Sequence, residues 1–366
     1  MKSGVATGAG TGKFAARYAN AEGFYRDVNG IKLASVGIGT YLGNWDDETD
    51  VRYKDTVSAY VRKGGNVIDT AANYRFQRSE RSIGNALKEL SGEFGRDEIF
   101  VSTKGGYLPF DSEPESDVGK YFEEEFVSKG IAARDDLVGG SHCIAPDYLE
   151  SQVEQSLRNL GIDSVDLFYI HNPEAQLGAV DRYTFEARMA SAFEKLEELR
   201  DEKKIGSYGA ATWNGFRVSP DDQGYHSLEG FVRTASQVGG DEHGFRYVQL
   251  PHNLAMPEAY LVPNQSAKGR AVSLLQAAED LGITVMASAS ILQGQLSKGV
   301  PMHVRGVLGN PTTDAMTSIQ FVRSTPGITT ALVGMSSLAH VEENMSLVSV
   351  PPTPEQRFAE LFTKDA

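Results

Sequence analysis

A chain of 366 residues with 40% hydrophobic residues and one cysteine, Cys143, can bury a large core, but it can form neither an internal disulfide framework nor a Cys-based zinc site. Its 35 Lys and Arg against 49 Asp and Glu give a formal net charge of −14, which repels phosphate backbones and anionic lipid, so no nucleic-acid or membrane-surface role is expected. The opening residues lack the apolar stretch of a signal peptide, and no run approaches the ~20 apolar residues of a spanning helix, so a cytoplasmic setting with no membrane partner is expected.

Residues 1–22 are small and polar and read as a flexible tail. They include Gly8-Ala-Gly-Thr-Gly-Lys13, which has the outline of a phosphate loop. No strand precedes it, however, and Phe14 stands where such a loop needs Ser or Thr, so the run is assigned to the tail. Asn29-Gly30, between alternating residues, predicts a β-hairpin with a type I′ turn, placed to close a barrel floor. Short apolar or β-branched runs then follow at 34–39, 66–69, 99–103, 165–170, 206–210, 247–250, 283–287 and 330–333. Helix-periodic stretches separate them at 56–63, 83–90, 149–160, 193–203, 272–281 and 315–324. In one of these, Leu149, Val153, Ser156, Leu157 and Leu160 share a single helical face. Glycines such as Gly161 and Gly282 sit just past predicted helix ends, where a left-handed cap is needed.

Strands alternating with helices argue for parallel pairing, and eight such units fit an α/β fold of the (β/α)8 TIM-barrel type, with residues 23–366 as one domain. Two stretches break the rhythm: an acidic insertion at 107–146 containing Glu123-Glu-Glu125, and a polar, Gly-rich loop at 214–246. Lys104 and His171 lie about twice as far apart as one βα unit of ~30 residues, so the insertion follows the third strand on the active-site face. It is expected to act as a lid or a surface decoration. Tyr107, Phe110, Tyr121, Phe122 and Phe126 would line the pocket if it is a lid.

Polar residues at the C-terminal ends of barrel strands build active sites. Here Asp69 ends one strand, Tyr74 follows on its loop, Lys104 ends the next strand and His171 the one after. Those four types suit hydride addition to a carbonyl. Negative charge grows on oxygen and must be protonated; a tyrosine is a weak acid unless a neighbouring ammonium favours its phenolate. Lys104 can supply that charge, Asp69 can orient Lys104, and His171 can polarise the carbonyl by hydrogen bonding.

With Asp69-Thr-Ala-x-x-Tyr74, Ser79-Glu80, Ser102-Thr-Lys104, Asp166-Leu-Phe-Tyr-Ile-His171-Asn-Pro173, Lys204-Ile-Gly-x-x-Gly209, Gln249 and Glu343-Asn344 in this order, the chain resembles the aldo-keto reductase superfamily. The resemblance implies an NAD(P)(H)-dependent oxidoreductase that interconverts a small-molecule aldehyde, ketone or sugar with its alcohol. Tyr74 would be the general acid/base, Asp69 and Lys104 its activators, and His171 the orienting donor. The implied cofactor contacts are Thr212 and Gln249 near the carboxamide, and Ser288, Leu292, Gly294 and Leu296 around the pyrophosphate. Gly334, Ser336, His340, Glu343 and Asn344 would take the adenosine end.

The chain also departs from the family pattern. Ala211-Thr212 replaces Ser-Asn or Ser-Thr after the fifth strand, and His252 falls where a tyrosine usually stacks on the nicotinamide. Residues 333–344 carry no Lys or Arg to hold a 2′-phosphate. The resemblance favours NADP(H), with NAD(H) close behind. Two other readings compete: a cofactor-binding regulatory subunit on the same barrel, and a metal-dependent barrel hydrolase. The second would need paired ligands such as His-x-His at the strand ends; the sequence has none, and no metal site is expected.

Overall fold

The structure, a computed structural model, describes residues 3–363. Its strands in chain order are β1 (Tyr25–Val28), β2 (Ile31–Ala34), β3 (Val36–Gly39), β4 (Val67–Asp69), β5 (Phe100–Gly105), β6 (Val165–His171), β7 (Ile205–Ala211), β8 (Phe245–Pro251), β9 (Gln265–Ala267), β10 (Arg270–Val272), β11 (Thr284–Ser288) and β12 (Ile328–Gly334). Strands β3 to β8, β11 and β12 form a closed parallel barrel in which β12 returns to pair with β3. This is the (β/α)8 architecture expected from the alternation. Helices Asp47–Arg62, Arg78–Leu90, Pro146–Leu160, Arg182–Asp201, Leu228–Gly239, Leu274–Leu281 and Asp314–Ser324 connect successive strands, and Leu338–Met345 follows the last one. No helix among the described residues is long and apolar enough to cross a membrane.

β1 and β2 form the predicted hairpin, with Asn29 (φ 51) and Gly30 (φ 83) in the left-handed conformations of a type I′ turn. A second hairpin, β9–β10, interrupts the connection from β8 to β11.

Two expected loops contain helices instead. The tail assignment fails from residue 8 onward: Gly8–Ala15 is a helix capped by the Thr7 hydroxyl, and Phe14 is wholly buried against Tyr18, Tyr25 and Phe94. Residues 1 and 2 of that stretch lie outside the described residues. Gly10 is required for close approach, because a Cβ there would sit 2.2 Å from the Asp97 carbonyl oxygen. Lys13 and Arg17 pair with the buried Glu98, while the Ala6 N–H donates to Asp166 at the start of β6. The Gly-rich run is therefore part of the barrel floor.

In the same way, 214–246 is not one loop. Leu228–Gly239 is the β7–β8 crossover helix, capped by Ser227 and buried through Leu228, Phe231 and Ala235. The residues before it follow the C-terminal end of β7, and none of them lines the central cavity.

The insertion 107–146 closes at its base. Tyr107 pairs with His142, the Leu108 N–H donates to the Ser141 carbonyl, and the Cys143 N–H donates to the Gly106 carbonyl. Above this stem Leu108, Phe122, Phe126 and Cys143 join Tyr148 in a small core of their own. The expected lid lining is thus overturned for Phe122 and Phe126, which are buried in that core, and for Phe110 and Tyr121, which pack on it. Of the five aromatics only Tyr107 reaches the central cavity.

Candidate active site

Side chains alternate along a strand, so one residue in two faces the barrel interior. The last inward positions are Gly39, Asp69, Lys104, His171, Ala211, Gln249, Ser288 and Gly334, and all but Lys104 line a cavity of about 380 Å³ at the C-terminal mouth. Lys104 lies beneath it, fully buried. Tyr41, Leu42, Asn73, Tyr74, Tyr107, Asn172, Thr212 and Trp213, from the loops just past those strand ends, complete much of the wall.

The base of the cavity is an ion pair. Lys104 Nζ donates to Asp69 Oδ2 at 2.6 Å and to the Thr70 carbonyl at 2.7 Å. Asp69 Oδ1 accepts from the Ser102 hydroxyl at 2.9 Å and from Gln249 Nε2 at 2.8 Å. Burial pushes the Lys104 pKa down, and the Asp69 charge opposes that shift. Glu80 anchors the neighbouring helix: buried, it accepts from Thr103 at 2.6 Å and Asn159 at 2.8 Å. Ser79 Oγ donates to the Thr40 carbonyl at 2.7 Å. The Ser79-Glu80 motif thus fixes where the Tyr74 loop ends.

Tyr74 sits above the pair, with Lys104 Nζ 5.0 Å from its ring centroid. Its ring lies 5.8 Å from that of His171 and 4.9 Å from that of Tyr41. Burial first, then the Asp69 charge, raise the Tyr74 pKa well above the ordinary phenol value. The Lys104 ammonium is taken up by Asp69 and the Thr70 carbonyl. Burial, reinforced by Lys104, lowers the His171 pKa, so its imidazole is neutral.

The structure brings Asp69, Tyr74, Lys104 and His171 together, and it places Thr212, Gln249, Ser288, Gly294 and Gly334 on the cavity wall. Leu292 and Leu296 belong to the same β11 loop without lining the cavity, and Ser336, His340, Glu343 and Asn344 lie beyond it, on or just before helix Leu338–Met345. His252 is a correction. It falls on the outward parity of β8, stacks on Phe321 at 5.6 Å and 16°, and has Nε2 3.0 Å from Thr325 Oγ1. Wholly buried, it has no face toward the cavity.

Sequence reasoning missed Tyr41, Asn172 and Trp213. Each stands one or two residues past a barrel strand, which was the available signal. Tyr41 and Trp213 are exposed at 56% and 42%, and give the mouth an aromatic rim.

A nicotinamide dinucleotide fits the donors and acceptors present. Thr212 Oγ1, on the cavity wall, and Asn344 Oδ1 are buried with no hydrogen-bond partner, and the helix after β12 presents its Ser337-capped N-terminus beyond Gly334. Among the described residues no group of three or more His, Cys, Asp or Glu is placed to hold a metal ion.

Solved structures share this fold across nearly the whole chain. An aldo/keto reductase from Klebsiella pneumoniae in complex with NADP and acetate aligns with a TM-score of 0.60 at 19% identity, covering 93% of this chain and 96% of that one. A glycerol dehydrogenase from Gluconobacter oxydans aligns with a TM-score of 0.63 at 19% identity, covering 93% and 95%. These likenesses show the (β/α)8 barrel fold. The Aldo/keto reductase family model matches residues 35–218, half of the sequence, and the chain belongs to that family. Among curated relatives it is 29% identical over 186 residues to the NADH-specific methylglyoxal reductase of Escherichia coli, and 30% identical over 187 residues to a D-threo-aldose 1-dehydrogenase of a Pseudomonas species. The chain spans about half the length of these relatives: 49% of the first and 50% of the second.

Proposed function

We propose that the protein interconverts a small-molecule carbonyl (an aldehyde, ketone or sugar) and its alcohol, using a nicotinamide dinucleotide. The observation that carries this reading is the convergence of Tyr74 and His171 on one cavity, directly above the buried Asp69–Lys104 pair. A bound nicotinamide would supply or accept the hydride. Thr212 and Gln249 would hold its carboxamide end, the loop 288–296 its pyrophosphate, and residues 334–344 its adenosine.

The chain's own residues account for the proton. Tyr74 is a neutral phenol that can donate to the oxygen on which charge develops, and neutral His171 can orient and polarise the same oxygen. The Asp69–Lys104 pair sets the field below the phenol and is itself held by Ser102, Gln249 and Thr70. Support for a nicotinamide cofactor comes from the Klebsiella structure with NADP and from the NADH-specific relative. The absence of Lys and Arg at 333–344 keeps NADH beside NADPH as a candidate. A cytoplasmic setting is consistent with the single cysteine, buried and unpaired.

Titration of the protein's fluorescence with NADPH and NADH, alongside turnover of an aldehyde panel, tests the reading. Tyr74→Phe should lower kcat about 10²- to 10⁴-fold while cofactor Kd stays within about twofold. Cofactor binding without turnover in the parent chain would favour a regulatory subunit, and equal turnover in the variant would remove Tyr74 from the chemistry.

A further inference from the structure

We propose that the insertion 107–146 is a clamp on His171: its two stem residues, Tyr107 and His142, fix the ring and the backbone of that histidine, and His142 is a positioning residue for the reaction. This rests on the carbonyl-reduction reading above and assigns it a part that the barrel alone lacks.

His171 needs an outside support. Its Nδ1 is buried with no hydrogen-bond partner, so no bond at that nitrogen sets the ring's orientation. Its strand ends there, and Asn172 turns into the left-handed region at φ 46. The His171 carbonyl meets His142 Nε2 at 2.7 Å. The proton on that contact can be assigned from the chain. Arg188 donates to Gln176 Oε1 at 2.6 Å, which directs the amide nitrogen of Gln176 to His142 Nδ1 at 2.8 Å. An amide N–H only donates, so Nδ1 is the acceptor and Nε2 carries the proton given to the His171 carbonyl. Burial supports this neutral form, pushing the His142 pKa down to about 4.

Tyr107 supplies the other jaw. Its ring stands perpendicular to His171 at 5.1 Å and edge-on to His142 at 4.9 Å, and its hydroxyl oxygen accepts from Asn172 Nδ2 at 3.2 Å. Tyr107 and His142 face each other across the base of the insertion, and the Tyr107 carbonyl is tied down by Gln152 Nε2 at 2.8 Å and Tyr148 Oη at 3.0 Å. Gly106 lets the jaws close: at φ 137, a Cβ there would lie 2.9 Å from His142 Nε2. His142 touches neither the cavity nor the reacting atoms, so its effect passes through His171.

The test compares the full-length parent with His142→Phe, which fills the site without a donor; His142→Asn, whose shorter amide cannot reach the carbonyl; and His142→Gln, which can. Steady-state reduction of benzaldehyde, NADPH and NADH dissociation constants, and imidazole NMR of ¹⁵N-histidine-labelled protein are measured on each. The Phe and Asn variants should lose about 10- to 100-fold in kcat with cofactor Kd unchanged, a shifted His171 imidazole signal, and rescue to within about threefold by Gln. Phe and Asn variants that keep kcat within twofold, or a Gln variant that falls as far as they do, would overturn the clamp. If Phe fails to fold, Asn against Gln decides. Should the parent reduce no carbonyl at all, the functional reading fails instead; an unmoved His171 signal would then sink the clamp, and a shifted one would sustain it.

Discussion

His252 and Gln249 stand three residues apart on one strand and its extension, yet one is packed against Phe321 and the other reaches the cavity. The two-residue period of a strand separates them, and a motif match by spacing alone does not count that parity. Asp69, Tyr74, Lys104 and His171 were legible because three of them close successive strands on inward positions and the fourth follows on the adjoining loop. The upward push on the Tyr74 pKa was not legible, since it comes first from burial and then from the Asp69 charge, and that burial is set by how the loops pack at the mouth. The buried position of His252 has a consequence for acid stability. Burial pushes its pKa from 6.5 down to about 4, so the fold holds it neutral while the unfolded chain takes up a proton as pH drops below 6.5. The stability it confers is full above pH 6.5 and is lost as pH falls to about 4, by roughly 3 kcal/mol. Urea unfolding at several pH values should therefore show His252→Phe losing less stability across that window than the parent. Parallel curves would contradict this, as would a large change in cofactor Kd at neutral pH.

Among the elements, the barrel strands were readable as apolar runs with glycine-marked helix ends. Helix Gly8–Ala15 was hidden because GAGTGKFA has poor helix propensity, and the Thr7 cap and tertiary contacts rescue it. Phe14 in the floor core, and Gly10 lying against the Asp97 carbonyl, hold it in place. Phe14→Ala should cost about 3–5 kcal/mol in a denaturant melt. Cofactor affinity should be unaffected, because this helix packs at the end of the barrel opposite the mouth. A negligible cost would mean that the segment is not docked in solution. Helix Leu228–Gly239 was obscured by its glycines and by neighbouring polar turns, although Leu228, Phe231 and Ala235 share one face. The insertion's aromatics were visible in sequence, but their partners were not: Phe126 packs on Tyr148 at 4.8 Å, from a helix outside the insertion.

For the molecule as a whole, the closed barrel gathers the C-terminal strand ends around one cavity, and the proposed dinucleotide would bind there on a chain whose formal net charge is −14. The most direct test of the account follows a labelled hydride. NADH or NADPH deuterated at the transferable position is incubated with the full-length protein and benzaldehyde, and the alcohol is examined by mass spectrometry. The account predicts one deuterium in the alcohol formed by the parent, and product formation slowed about 10²- to 10⁴-fold by Tyr74→Phe. An unlabelled alcohol, or labelled product formed equally fast by the variant, would contradict it.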